Sequence, residues 1–197
     1  AVSKYYKVNA TLGTCTATDS ILITICVAPY DNIADARLLA VDIEEGPFSN
    51  FCASVEPNEP SPPLGSCTSQ STWCEEGGLQ NSIWFKFVAS ASGTVKIETR
   101  GFDNQIALYD AVYSGEYTDI ISGESSKYAI LAANDDFSDT EYQAVIDNVS
   151  GLTPGKTYWI QMDGSAQGSE GESYIKVSGI TSSVNTAADI LPYIVNP

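Results

Sequence analysis

The sequence predicts an all-β chain: an antiparallel β-sandwich or jelly roll with a long disulfide-pinned loop and an N-terminal β-hairpin. Three observations carry that expectation. From Ser82 to Ser178 apolar and polar residues alternate in segment after segment, which buries one face of each strand and wets the other. Clusters of small polar residues, glycine and proline punctuate the alternation at the short spacing of sandwich strands. Ahead of this stretch, residues 30–81 concentrate prolines and three cysteines, Cys52, Cys67 and Cys74. A chain of 197 residues can build a core large enough to be stable alone.

Residues 1–29 read as a separate hairpin. Tyr5–Leu12 and Ser20–Val27 are strand candidates, joined by a polar turn from Gly13 to Asp19. A two-stranded hairpin is marginal in water, so these strands need neighbours. They either dock on the main sandwich, belong to an earlier domain, or pair with another molecule. The opening residues Ala1 to Tyr5 lack the charged and apolar regions of a secretion signal.

Residues 30–81 read as loop. Asn32 to Val41 suits one helical turn or an extended edge. Gly46-Pro47 and the run from Pro57 to Pro63 remove ladder donors and force extended backbone. A loop of this length calls for a function or a disulfide. Cys67 and Cys74 flank six residues and are the easiest pair to close. Cys15, Cys26 and Cys52 complete an odd count, which leaves one thiol over or one partner elsewhere.

The sandwich itself spans residues 30–178. Its strands begin with Ile83–Val88, Val95–Glu98 and Ile106–Tyr109, followed by Tyr128–Ala133, Tyr142–Ile146, Thr157–Met162 and Glu172–Val177. Leu152 to Lys156 contains Pro-Gly and suits a type II turn. Residues 179–197 form a tail, polar and then apolar, that suits a linker or an added edge strand.

Composition narrows the function. A net charge of −16 argues against nucleic acid, whose binding rests on lysine and arginine. No apolar run is long enough to span a bilayer. The chain has no histidine, which excludes Ser-His-Asp and Cys-His catalysis and disfavours zinc. Unpaired with histidine, five cysteines fit disulfides in an oxidising, extracellular or cell-surface setting. Adjacent acids such as Asp135 and Asp136 point to opposite faces of a strand, unlike carboxyls that flank a glycosidic bond. The chain therefore reads as a non-enzyme.

Two candidate sites emerge. Asn134, Asp135, Asp136 and Asp139 share one loop, and Asp103 and Asp110 bracket an earlier strand. Oxygen ligands gathered from flexible turns suit calcium, whereas Asn and Asp also favour turns for local hydrogen bonding. Trp84, Trp159 and Tyr109 form either a platform for polysaccharide or protein, or part of the core.

Several motifs occur in a family-like order: Ser82 to Phe87, Ser92 to Ile97, Phe102-Asp103 before Ile106 to Asp110, Asn134 to Asp136, and Leu152 to Ile160. Together they resemble the bacterial pre-peptidase C-terminal (PPC) domain, a relative in fold of clostridial collagen-binding domains. The likeness covers residues 30–178, and the cysteine- and proline-rich insertion departs from it. It implies a non-catalytic accessory β-sandwich of secreted or surface proteins, several of which bind calcium. By that likeness Glu75 and Glu76 are candidate counterparts of N-terminal ligands. Separately, Tyr6-Lys7-Val8 and Cys15 to Ser20 resemble the last two strands of immunoglobulin-like repeats in bacterial surface proteins.

The expected function is adhesion or assembly, with other copies of the chain or neighbouring surface domains as partners. In one version the hairpin and tail join filament subunits by strand addition. The alternative is a substrate-targeting accessory domain of a secreted hydrolase, directed at polysaccharide or protein.

Overall fold

The computed structural model describes residues 2–74, 78–166 and 168–180. Glu75, Glu76 and the tail beyond Ile180 lie outside the described residues. Two antiparallel sheets form the sandwich. Strands β3 (Arg37–Leu38), β7 (Ile83–Val88), β9 (Asn104–Ala111), β10 (Tyr128–Asn134) and β12 (Thr157–Gly164) make the first, in the order β10-β9-β12-β7-β3. Within this sheet only the short β3 runs parallel to its neighbour, β7; in the long loop, β5 (Leu64–Gly65) and β6 (Trp73–Cys74) form a second short parallel pair. The second sheet is β11-β8-β13-β4, from β4 (Glu44–Ser49), β8 (Thr94–Gly101), β11 (Val145–Ser150) and β13 (Glu172–Gly179).

Alternation along these strands builds the core. Ile83, Phe85 and Phe87 of β7 point between the sheets with Ile160 and Met162 of β12, meeting Val95, Ile97, Ile175 and Val177 from the other layer. Toward the middle of the five-stranded sheet the intervening residues are buried too, although Val88 at the end of β7 is exposed. Trp84, Ala107, Tyr109 and Trp159 pack under Ile33, Trp73 and Ile120, which arrive from loops and from the short helix α1 (Tyr117–Ile120). The five-stranded sheet is thus covered on both faces, one by a sheet and one by loops.

This second layer corrects one expectation. Trp84, Trp159 and Tyr109 are 0%, 4% and 0% exposed, so they are core residues rather than a ligand platform. The face opposite Phe85 and Ile160 is where the cysteine- and proline-rich loop lies. Trp73, itself fully buried, donates its indole N–H to the Ile106 carbonyl at 2.9 Å.

Glu59 fastens the proline run to that face. Its Oε1 accepts from the Ser82 hydroxyl, from Trp84 Nε1 at 3.1 Å and from Gln161 Nε2 at 2.7 Å. Its Oε2 accepts the Glu56 N–H at 2.9 Å. Burial raises its pKa, and the hydrogen bonds from Ser82 and Gln161 oppose the rise. Gln161 Oε1 in turn accepts from the Tyr109 hydroxyl at 2.7 Å. Asp163 performs a similar task beside it, receiving backbone N–H groups of Gln80, Asn81 and Gly164.

Elements elsewhere depart from the expected boundaries. Asn32 to Val41 supplies both alternatives, a 3-10 turn at Ile33–Asp35 and then the extended β3. Gly46-Pro47, read as loop, lies within β4, at the edge of its sheet. Proline is tolerated there because an edge strand need not donate outward. The strand expected at Tyr142–Ile146 is displaced to Val145–Ser150, with an irregularity between Ile146 and Val149 that breaks the period-2 pattern.

Cys67–Cys74 is disulfide-bonded, and Cys26–Cys52 joins the end of the hairpin to the long loop. Cys15 is the free cysteine and is exposed. The hairpin comprises β1 (Val2–Leu12) and β2 (Cys15–Ile25), with Val2 opposite Ile25 and Leu12 opposite Cys15. Every described side chain from Ser3 to Val27, Thr24 not among them, is exposed.

Glu59→Ala should cost about 3 kcal/mol in urea unfolding, because it strands buried donors on Ser82, Trp84 and Gln161. Glu59→Gln, which keeps an acceptor, should cost distinctly less. Equal losses for the two would show that packing, not hydrogen bonding, holds the loop down.

Candidate metal centre

Three carboxylates meet at one end of the sandwich. Asp103 stands in the turn between β8 and β9, while Asp135 and Asp136 follow directly on β10. An oxygen from each lies within 4.8 Å of the other two. Calcium takes oxygen ligands at about 2.3–2.6 Å, so oxygens sharing one ion are separated by no more than roughly 5 Å. The three groups satisfy that limit.

Local chemistry fixes their placement. Asn134 closes β10 with its side chain: Nδ2 donates to the Ser69 and Asp136 carbonyls at 2.9 Å each, and Oδ1 accepts the Val145 N–H at 2.7 Å. Those bonds bend the chain back and hold the next two residues against the Cys67–Cys74 loop. The Cys67 carbonyl accepts N–H bonds from Asp135 (3.3 Å) and Asp136 (2.9 Å). Cys74 returns one, its N–H reaching Asp135 Oδ2 at 3.2 Å. On the opposite side, the Ser165 N–H donates to the Asp103 carbonyl.

Asp135 is the decisive residue. It is 1% exposed, and its Oδ1 is buried with no hydrogen-bond partner among the described residues. Around it lie Cys74, Asp103, Asp136, Tyr142, Ser165 and Ala166, with no lysine or arginine among these lining residues. Burial, above all, and then the charge of Asp136 raise its pKa to about 7. Burial also raises Asp136, with Asp103 and Asp139 adding to it.

The sequence-predicted ligands divide accordingly. Asp103, Asp135 and Asp136 converge, and Asp139 stands beside Asp136 in the adjoining hollow with Tyr142. Asn134 belongs to the frame, its side chain spent on backbone groups. Asp110 is set apart, because it sits near the far end of β9 and forms an ion pair with Lys156. Sequence reading did not single out the Cys74 N–H as a partner of Asp135. No linear spacing reveals that contact, although the expected Cys67–Cys74 bridge lies next to it.

The chemistry available is cation binding. All ligands are oxygen, and both nearby sulfurs are committed to a disulfide, which favours a hard cation over zinc or copper. Three acids drawn to one point resemble neither an acid–base pair across a substrate gap nor a nucleophile with its base.

The pH dependence has a definite sign. Asp135 binds its proton more tightly when folded, so the native state holds more protons than the unfolded one between about pH 4 and 7. The Asp135 contribution to stability in chelator is greatest below pH 4. It should decline as pH rises toward about 7 and then level off. Thermal melts in chelator at pH 5 and 7.5 test this against Asp135→Asn, whose slope should be shallower. An equal slope would assign the dependence to other groups.

No protein-family model matches this sequence, and no curated protein matches it. The carboxylate cluster rests on its own geometry.

Proposed function

We propose that this chain is a non-catalytic extracellular module of a bacterial surface or secreted protein, serving adhesion or assembly and braced by calcium. The observation that carries the reading is the buried, unpartnered Oδ1 of Asp135, facing two further carboxylates. A divalent cation satisfies that oxygen and offsets the mutual repulsion of the three acids. It would tie the turn before β9 to the end of β10 and, through the Cys74 N–H, to the disulfide loop. Such a brace stiffens one end of the sandwich and does no chemistry.

The disulfides support an oxidising compartment, and no described helix is long and apolar enough to cross a membrane. The motif order resembling the PPC domain supports an accessory role. An assembly role draws on the hairpin, whose strands pair only with each other and bury no described side chain. The targeting alternative loses its main support, because the three proposed platform aromatics are buried.

Calcium should raise the melting temperature of chelator-treated protein. Saturation at about 100 times Kd adds roughly 2.7 kcal/mol, or about 5–10 °C for a domain of this size. Asp135→Asn should abolish the shift, while Asp110→Asn should leave it intact. An unchanged melting temperature in millimolar calcium would remove the cation from this reading.

A further inference from the structure

The hairpin has two chemically distinct faces. Directly opposed residues of an antiparallel pair project to the same side. One side therefore carries Tyr6, Val8, Leu12, Ile21 and Ile23, which are 46%, 66%, 88%, 60% and 43% exposed. The other side is mostly polar, and its hydroxyls and amides bond one another. Thr18 donates to Asn9 Oδ1 at 2.7 Å, and the Thr11 and Thr16 hydroxyls lie 3.3 Å apart. Tyr5 and Leu22, opposed to each other, are the large apolar residues on that polar side. An amphipathic ribbon of this kind is built to stack its apolar face on another sheet, about 10 Å away.

Two charges interrupt the apolar face, Lys4 on β1 and Asp19 on β2. Lys4 lies opposite Ile23 and Asp19 opposite Val8, so they stand four residues apart along the ribbon. A two-fold axis across the strands, at the level of Tyr6 and Ile21, reverses one ribbon over another. That operation brings Lys4 of each copy diagonally over Asp19 of its mate, twice per pair. The face is self-complementary, as an isologous contact requires.

The same operation manages long-range repulsion. Residues 26–197 hold 24 of the 25 acidic residues and seven of the nine basic ones. Two such bodies side by side repel. Antiparallel stacking places the ribbon bases roughly 27 Å apart at a strand rise of about 3.4 Å per residue. That is more than three Debye lengths at physiological salt.

We infer that the apolar face of the hairpin is a homotypic docking surface, occupied by the same face of a second copy in antiparallel, two-fold stacking. This rests on the assembly reading above and names its partner. It differs from strand addition, in which open edges rather than faces would join.

The test is sedimentation velocity of the full chain over a wide concentration range, with two charge variants. The wild type should form dimers. Lys4→Asp alone and Asp19→Lys alone should each weaken dimerisation by about tenfold or more, since each sets like charges against one another. An equimolar mixture of the two variants should restore it, because the pairs between unlike partners are then attractive. A monomeric wild type, or an oligomer indifferent to both substitutions, overturns the inference; the latter result points to edge pairing. Unchanged melting temperatures of the variants exclude misfolding, and the calcium shift is measured separately, so either proposal can fail without the other.

Discussion

The outer face of the five-stranded sheet has to be covered, and much of the chain is organised by that requirement. Trp84, Tyr109 and Trp159 present more aromatic surface than a solvated sheet face tolerates. The cover comes from the 3-10 turn at Ile33, from the proline run held by Glu59, and from Trp73. A loop layer brings many backbone donors and acceptors with it, each needing a partner. Buried Glu59, Gln161 and Asp163 meet much of that need from the sheet side and from the loop itself. The buried polar groups thus follow from covering a sheet with loop rather than helix.

The carboxylate cluster is a consequence of the same cover. Trp73 is anchored on β9 while its segment runs alongside β10, where Ser71 bridges to Ala133, and the Cys67–Cys74 loop lies against Asp135 and Asp136. The disulfide closes a loop of few residues, so its carbonyl and N–H groups are held as a rigid receptor for the acidic turn. Once Asp135 is drawn under this loop, water no longer solvates its outer oxygen. Two remedies exist, a proton or a cation. Burial raises its pKa to about 7, so near that pH the carboxylate and the neutral acid are comparably populated.

Sequence periodicity captured what depends on nearest neighbours. The strands around Phe85, Ile97, Leu108, Ile160 and Ile175 follow from alternation alone, as does the burial of those residues. What escaped lies in relations between distant segments. Alternation showed that Trp84 and Trp159 share the face opposite Phe85 and Ile160, but not that residues 30–81 would fold over it. Asp110 and Asp103 look equivalent as acids flanking one strand, yet strand direction carries them to opposite ends. One of them finds Lys156 and the other finds Asp135. Asn134 was legible as a polar residue in an acidic run; its work as the clasp of β10 depends on Ser69 and Val145, which are remote in sequence. The Cys26–Cys52 bridge, 26 residues apart, gave no spacing signal comparable to Cys67–Cys74.

The hairpin obeys a different economy from the sandwich. Isolated two-stranded ribbons are marginal because each strand gains one neighbour while both faces stay wet. Here the polar face is stitched by threonine and asparagine side chains, which suits permanent contact with water. The opposite face collects isoleucine, valine and tyrosine, which gain nothing from it. The Cys26–Cys52 bridge fixes the base of the ribbon to the sandwich, limiting the entropy lost when that face finds a cover. A ribbon held by one end, polar on one face and apolar on the other, is poised to dock.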